Sequence, residues 1–91
     1  MLEKVKLSLR INNNAFDGEI NSLIKSCKKE LELVGIAPSI LNSNDEMILQ
    51  AIILYCKAHF GFDNSEAERY MKSYESTKIF LVTNINYKSK G

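Results

Sequence analysis

The stretch EMILQAIILYCKAHF, residues 46–60, places the tightest constraint on what this chain can become. Met47, Ile48, Ala51, Ile52, Leu54, Tyr55, Ala58 and His59 cover more than one stripe of a helical surface, and Leu49 and Ile53 widen it. A helix that is apolar on nearly all sides is stable only where other elements enclose it. This segment is therefore predicted to be the central helix. Asn44 is placed to cap its start, with Asp45 and Glu46 in the first turn at the positive end of the helix dipole. Gly61 suits the left-handed backbone that closes such a helix.

Two amphipathic segments flank it. Phe16, Ile20, Leu23, Ile24, Cys27, Leu31 and Val34 recur at intervals of three and four, opposite Lys25, Lys28, Lys29, Glu30 and Glu32. The spacing predicts a helix of about 19 residues, capped by Asn13 or Asn14, with Asp17 and Glu19 in its first turn and Gly35 at its end. On the other side, Ser65-Glu66-Ala67-Glu68 fits a capping box. Ala67, Tyr70, Met71, Tyr74, Lys78 and Leu81 then share one face, with Ile79 and Val82 beside it, and Phe60 and Phe62 are placed to pack across the turn. The central helix and this last one thus form an αα-hairpin.

The ends and the connections carry less pattern. Leu2, Val5 and Leu9 follow helical spacing, while Val5, Leu7, Leu9 and Ile11 also alternate as a strand would. A short helix is the reading adopted, with Lys4, Lys6 and Arg10 on its solvated side and Asn12-Asn13-Asn14 to stop it. Pro38 makes IAPSILNSN a loop whose Ile36, Ile40 and Leu41 tuck into the core as a cover. Beyond Val82, NINYKSKG is polar apart from Ile85 and Tyr87, which reads as a tail that orders only against a partner. The predicted fold is all-α: a compact bundle of about four helices over residues 1–82, with a flexible C-terminal tail over 83–91.

A chain of 91 residues has room for a single core, burying only about 60 to 65% of the surface its unfolded form exposes. Oligomerisation would add to that burial. The formal net charge is +1, which lacks the electrostatic footprint of a nucleic-acid binder. No apolar run approaches the ~18 to 20 residues of a membrane span, and MLEKVKLSLR has no signal-peptide core, so a cytoplasmic protein is expected. In that compartment Cys27 and Cys56 are expected as buried free thiols.

Motifs with chemistry are few. Cys56-x-x-His59 has a spacing that metal sites use, but a structural zinc needs four ligands and only Cys27 could add a third soft one. A core thiol and a histidine near a helix end is the reading preferred to a metal site or a Cys-His nucleophile pair. Asp45/Glu46 and Glu66/Glu68 are first-turn acids explained by the helix dipole. No phosphate-cradling glycine motif occurs. No catalytic residue, metal ligand or cofactor is expected. The surplus lies in the tyrosines and the tail: Tyr70, Tyr74, Ile85, Tyr87 and Lys88 are the candidate interface residues, although an aromatic stripe at helical spacing belongs to a core more often than to an interface.

LEKVKLSLRI, FDGEINSLIKSCKKEL and AIILYCKAHFGFDNSEAERYMKSYESTKIFL, spanning most of residues 2–81, together resemble the small head-tail connector (adaptor) proteins of tailed bacteriophages and prophages, often labelled DNA-packaging proteins. The resemblance is one of arrangement, with no catalytic motif, and does not extend to the tail from Thr83 onward. It implies a structural, non-enzymatic subunit of the virion neck, made in the host cytoplasm. Such a subunit assembles as a homo-oligomeric ring beneath the portal protein and bridges it to stopper and tail-completion proteins, while DNA passes through the lumen without specific binding. The rival expectation is a small helical nucleic-acid-binding or regulatory protein using Lys25, Lys28 and Lys29 on phosphates, a patch weakened by Glu30 and Glu32. A partner-binding helical module unrelated to phage is the third.

Overall fold

A computed structural model describes residues 1–61 and 65–88. Five helices follow one another: α1 Leu2–Leu9, α2 Asp17–Leu33, α3 Pro38–Leu41, α4 Glu46–His59 and α5 Ala67–Thr83, with a 3-10 turn at Ile85–Tyr87. The all-α expectation holds, and the adopted short N-terminal helix is α1. α4 is the hub: it packs against α5 as a helical hairpin and against both α1 and α2. The body measures 39 × 24 × 18 Å.

The fully buried core joins Val5, Ile20, Cys27, Leu31, Ile36, Ile48, Ala51, Ile52, Cys56, Tyr74 and Leu81. α4 alone supplies Ile48, Ala51, Ile52, Cys56 and Ala58, as its apolar circumference predicted. Both cysteines are free and buried. Phe16 and Val34, assigned to the inner face of α2, lie just outside the helix and are 46% and 44% exposed, because the chain turns away from the core at each end. No helix among the described residues is long and apolar enough to cross a membrane.

The helix stops follow backbone rules. α2 ends in Gly35, φ 107°, whose N–H donates to the Glu32 carbonyl while Ile36 N–H reaches back to Leu31. This is a Schellman closure. α1 closes in the same way without a glycine: Arg10 sits at φ 61°, ψ 39°, with Arg10 N–H on Leu7 and Ile11 N–H on Lys6. Gly61, φ 93°, adopts the left-handed turn foreseen after α4.

The helix starts are where sequence reading erred. α4 is capped by Asp45, not Asn44: Asp45 Oδ1 accepts from the N–H groups of Met47 at 2.9 Å and Ile48 at 3.1 Å. Neither Asn13 nor Asn14 caps α2. Asn13 Oδ1 instead accepts from Ala15 N–H, and Asn14 Oδ1 from the Lys6 ammonium at 2.9 Å. Lys6, expected in solvent, is 6% exposed and pairs with Asp17 at 2.8 Å, which locks α1 to the start of α2. Buried charge is tolerated only with such partners. No capping box forms at Ser65, because Glu66 is itself the N-terminal flanking residue of α5 and its carboxylate is taken by Arg69 and Tyr70. The loop assigned to IAPSILNSN contains one turn of helix, α3, since Pro38 at its first position has the required φ and no N–H to leave unpaired. Ile36 and Leu41 are buried and Ile40 half-buried beneath it, as the cover reading foresaw. Phe62, expected to pack across the hairpin, lies outside the described residues.

The segment after Val82 departs most from expectation. Thr83 still belongs to α5, and residues 84–88 fold back on the chain's own body instead of leaving it at 83. Ala37 N–H donates to the Tyr87 carbonyl at 2.9 Å, Lys88 forms an isolated antiparallel bridge with Ile36, and the Tyr87 hydroxyl donates to Asp45. Polar composition alone hid this, because backbone and hydroxyl groups can be satisfied by protein as well as by water.

Candidate functional site

Phe16 meets Phe60 edge to face, so the start of α2 lies beside the end of α4. Ile36 and Tyr87 reach the other end, beside Asp45. The bundle therefore has two poles, separated by the length of α4, about 20 Å at 1.5 Å per residue.

At the tail pole, Asp45 does two jobs. While capping α4 it accepts the Tyr87 hydroxyl, at 3.1 Å to Oδ1 and 2.9 Å to Oδ2. Burial, then the hydrogen bond to Asp45 and its charge, push the Tyr87 phenol above its ordinary range. With Tyr87 held, Ile85 and Lys88 project from the same pole. Ile85 is 82% exposed, and it and Lys88 line a recess of about 770 Å³ with Asn86, with Ala37 and with Pro38, Ser39 and Ile40 of the α3 turn.

The opposite pole carries a smaller cleft of about 420 Å³, walled by Phe16, Glu19, His59, Phe60 and Gly61. The two phenyl rings stand at 90° with centroids 5.4 Å apart. Beside it, Tyr70 is half-buried at a shallow groove with Ser8, Leu9, Arg10, Lys57 and Phe60. Its hydroxyl donates to Glu66 at 3.1 Å, and Arg69 and Lys57 each lie 5.5 Å from its ring centroid.

The five interface candidates are thus not one surface. Ile85, Tyr87 and Lys88 share the tail pole, and Tyr70 lies at the other. Tyr74 is corrected: it is fully buried, so it is a core residue. Its ring packs edge to face on Tyr55 at 5.3 Å, and its hydroxyl donates to Glu30 at 3.1 Å while accepting a long contact from Cys27 at 3.9 Å. Lys78 joins Glu30 at 2.9 Å and reaches Glu75, which ties α5 to α2. Burial pushes the Tyr74 phenol far up, with Cys27 and Glu30 adding to it. Partial burial would raise the Glu30 carboxyl, but the hydrogen bonds from Lys78 and Tyr74 outweigh it and hold the group below its ordinary value.

Cys56 and His59 do not converge. Cys56 is fully buried, its thiol pushed up by burial to about 12, whereas His59 is exposed with its ring 4.3 Å from that of Tyr55. A thiol in that setting is protonated and unreactive at neutral pH. Among the described residues no three His, Cys, Asp or Glu side chains are grouped to hold a metal. Of the lysines assigned to phosphate contacts in the rival reading, Lys28 is bound to Asn42 and Lys29 pairs with Glu32.

Sequence reading missed the Phe16–Phe60 cleft and the second role of Asp45. Ile79, expected beside the inner face of α5, is instead 60% exposed, and Leu33 and Phe80, 74% and 48% exposed, had no place in the pattern. The available signal was that Ile79 and Phe80 fall one and two residues past Lys78, off the inner stripe. A family model described as phage connector protein matches residues 1–88. No curated protein and no solved structure matches the chain.

Proposed function

This chain belongs to the phage connector protein family, and from that premise we propose that it is the head-tail connector subunit of a tailed phage, with a structural rather than a catalytic role. It assembles as a homo-oligomeric ring beneath the portal protein and bridges it to stopper and tail-completion proteins at the virion neck. The carrying observation is the extent of the match, which runs through the 3-10 turn to Lys88 and so includes the docked segment together with the bundle.

The surfaces support an assembling part. Ile85 and Lys88 offer an apolar and a cationic group side by side at one pole, and Tyr70 offers an amphipathic ring at the other. These three are the contact residues toward neighbouring subunits or the portal. DNA passes through the lumen without being gripped, in keeping with the net charge of +1, since a strongly cationic wall would retard a moving polyanion.

The test is to incubate the purified protein with portal-containing, DNA-filled heads that lack it, then sediment the heads. Co-sedimentation and recovery of tail attachment are expected. A protein that neither binds such heads nor occurs among the proteins of finished particles is not a connector.

A further inference from the structure

The two poles are complementary to each other, and one molecule cannot bring them together. The tail pole presents Ile85, the most exposed large hydrophobic among the described residues, beside the Lys88 ammonium. The other pole presents the perpendicular Phe16 and Phe60 rings beside the Glu19 carboxylate. Neither Glu19 nor Lys88 has an ion-pair partner among the described residues. Phe16 and Glu19 are three residues apart at the start of α2 and line one cleft together, so the apolar wall and the charge share it. Ile85 and Lys88, also three residues apart, line one recess together. Within a chain, the length of α4 keeps these sets apart.

We propose that the Phe16–Phe60 cleft is the receptor for the tail pole of a second copy of this chain. Ile85 of the neighbour seats in the cleft against the faces the two rings leave open, and the neighbour's Lys88 pairs with Glu19. The contact joins unlike surfaces, so each subunit keeps one unused cleft and one unused tail pole, and addition continues until a rotation closes the ring. The Asp45–Tyr87 hydrogen bonds hold the tail pole in shape before contact, which lowers the ordering cost of association. Apolar burial at a site flanked by a charge pair favours this partner over a nucleic acid, which would meet Glu19 as repulsion. The inference rests on the proposed self-assembly and names its two faces.

Sedimentation velocity of the full chain, with Ile85→Asp and Glu19→Lys variants, tests it. Both positions are exposed, so folding is preserved, which circular dichroism checks. Each variant should weaken self-association at least tenfold, and Glu19→Lys combined with Lys88→Glu in one chain should restore it. Mixing the two single variants is the sharpest measurement. The intact cleft of Ile85→Asp takes the intact tail pole of Glu19→Lys, so the mixture should stop at a one-to-one dimer while wild type grows larger. A wild type that associates with both variants unaffected overturns this contact and leaves the ring standing on other faces. A wild type that stays monomeric to about 1 mM, the limit of an association worth about 4 kcal/mol, also overturns it, and head binding then judges the connector reading separately.

Discussion

Arg10 is the one non-glycine residue among those described with positive φ. A left-handed L-residue carries a penalty of roughly 1–2 kcal/mol, which glycine avoids while losing more unfolded-state entropy. Arg10→Gly should therefore stabilise the protein by about 0.5–1 kcal/mol, read as a higher urea midpoint at unchanged slope. An unchanged or lower midpoint would mean that the arginine side chain contributes more than its backbone loses. Ile52 sets the other extreme. It is fully buried at the centre of α4, and an unpaired carboxylate there costs several kcal/mol against a total stability of about 5–15. Ile52→Asp should leave no cooperative melting transition at 25 °C; a transition like that of wild type would contradict the enclosed position of α4.

Among the elements, the docked turn and the α2–α5 tie make the distinctive claims. The Tyr87 hydroxyl donates to a charged carboxylate, a class of hydrogen bond that contributes about 1.5–3 kcal/mol. Tyr87→Phe should lower stability by about 1.5 kcal/mol, and removing residues 84–91 should lower it further, because the Ala37 bond to the Tyr87 carbonyl goes too. Equal melting temperatures for the truncated and intact chains would show that the turn adds nothing to the fold. The buried thiols predict an alkaline limit. Cys27 and Cys56 each rise from an ordinary 9.0 to about 12, chiefly through burial. A raised acid contributes stability that is complete below its unfolded value and is lost as pH climbs through the folded one. Tyr74 and Lys78, also raised, have ordinary values of 10.0 and 10.5, so their stability declines only at higher pH. Stability should thus begin to fall just above pH 9 from the thiols, and Cys56→Ala should make the decline between pH 9 and 10 shallower in urea titrations. On the acid side Glu30, held low, keeps its contribution above its ordinary 4.5 and loses it as pH falls through the folded value.

At the scale of the molecule, the charge distribution separates a connector from a nucleic-acid-binding regulator. Lys28 and Lys29 are engaged with Asn42 and Glu32, and the net charge is +1. Titration with duplex DNA at physiological salt should give only weak binding with no sequence preference, in the 10⁻⁴–10⁻⁶ M range of non-specific contacts. Submicromolar, sequence-selective binding would favour the regulator. The elongated body measures 39 Å by 18 Å, and of its exposed apolar residues Ile85 stands at one pole of α4 and Phe16 at the other.

Helix identity was legible because it follows from local periodicity. The apolar circumference of residues 46–60 demanded an enclosed helix, the three-and-four spacing from Ile20 to Leu31 marked the inner face of α2, and Gly35 and Gly61 marked stops by backbone freedom alone. The caps were less legible. Serine, asparagine and aspartate one residue apart are near-equal candidates, and the backbone geometry that chose Asp45 over Asn44 is fixed by where α3 delivers the chain. Only the tertiary structure turned Lys6 inward onto Asp17, buried Tyr74 against Glu30, and laid Tyr87 on Asp45. Those partners stand 11, 44 and 42 positions apart in the chain. Pattern reports which side of a helix is apolar; which distant polar group can replace water for a lysine or a tyrosine is decided when the helices pack.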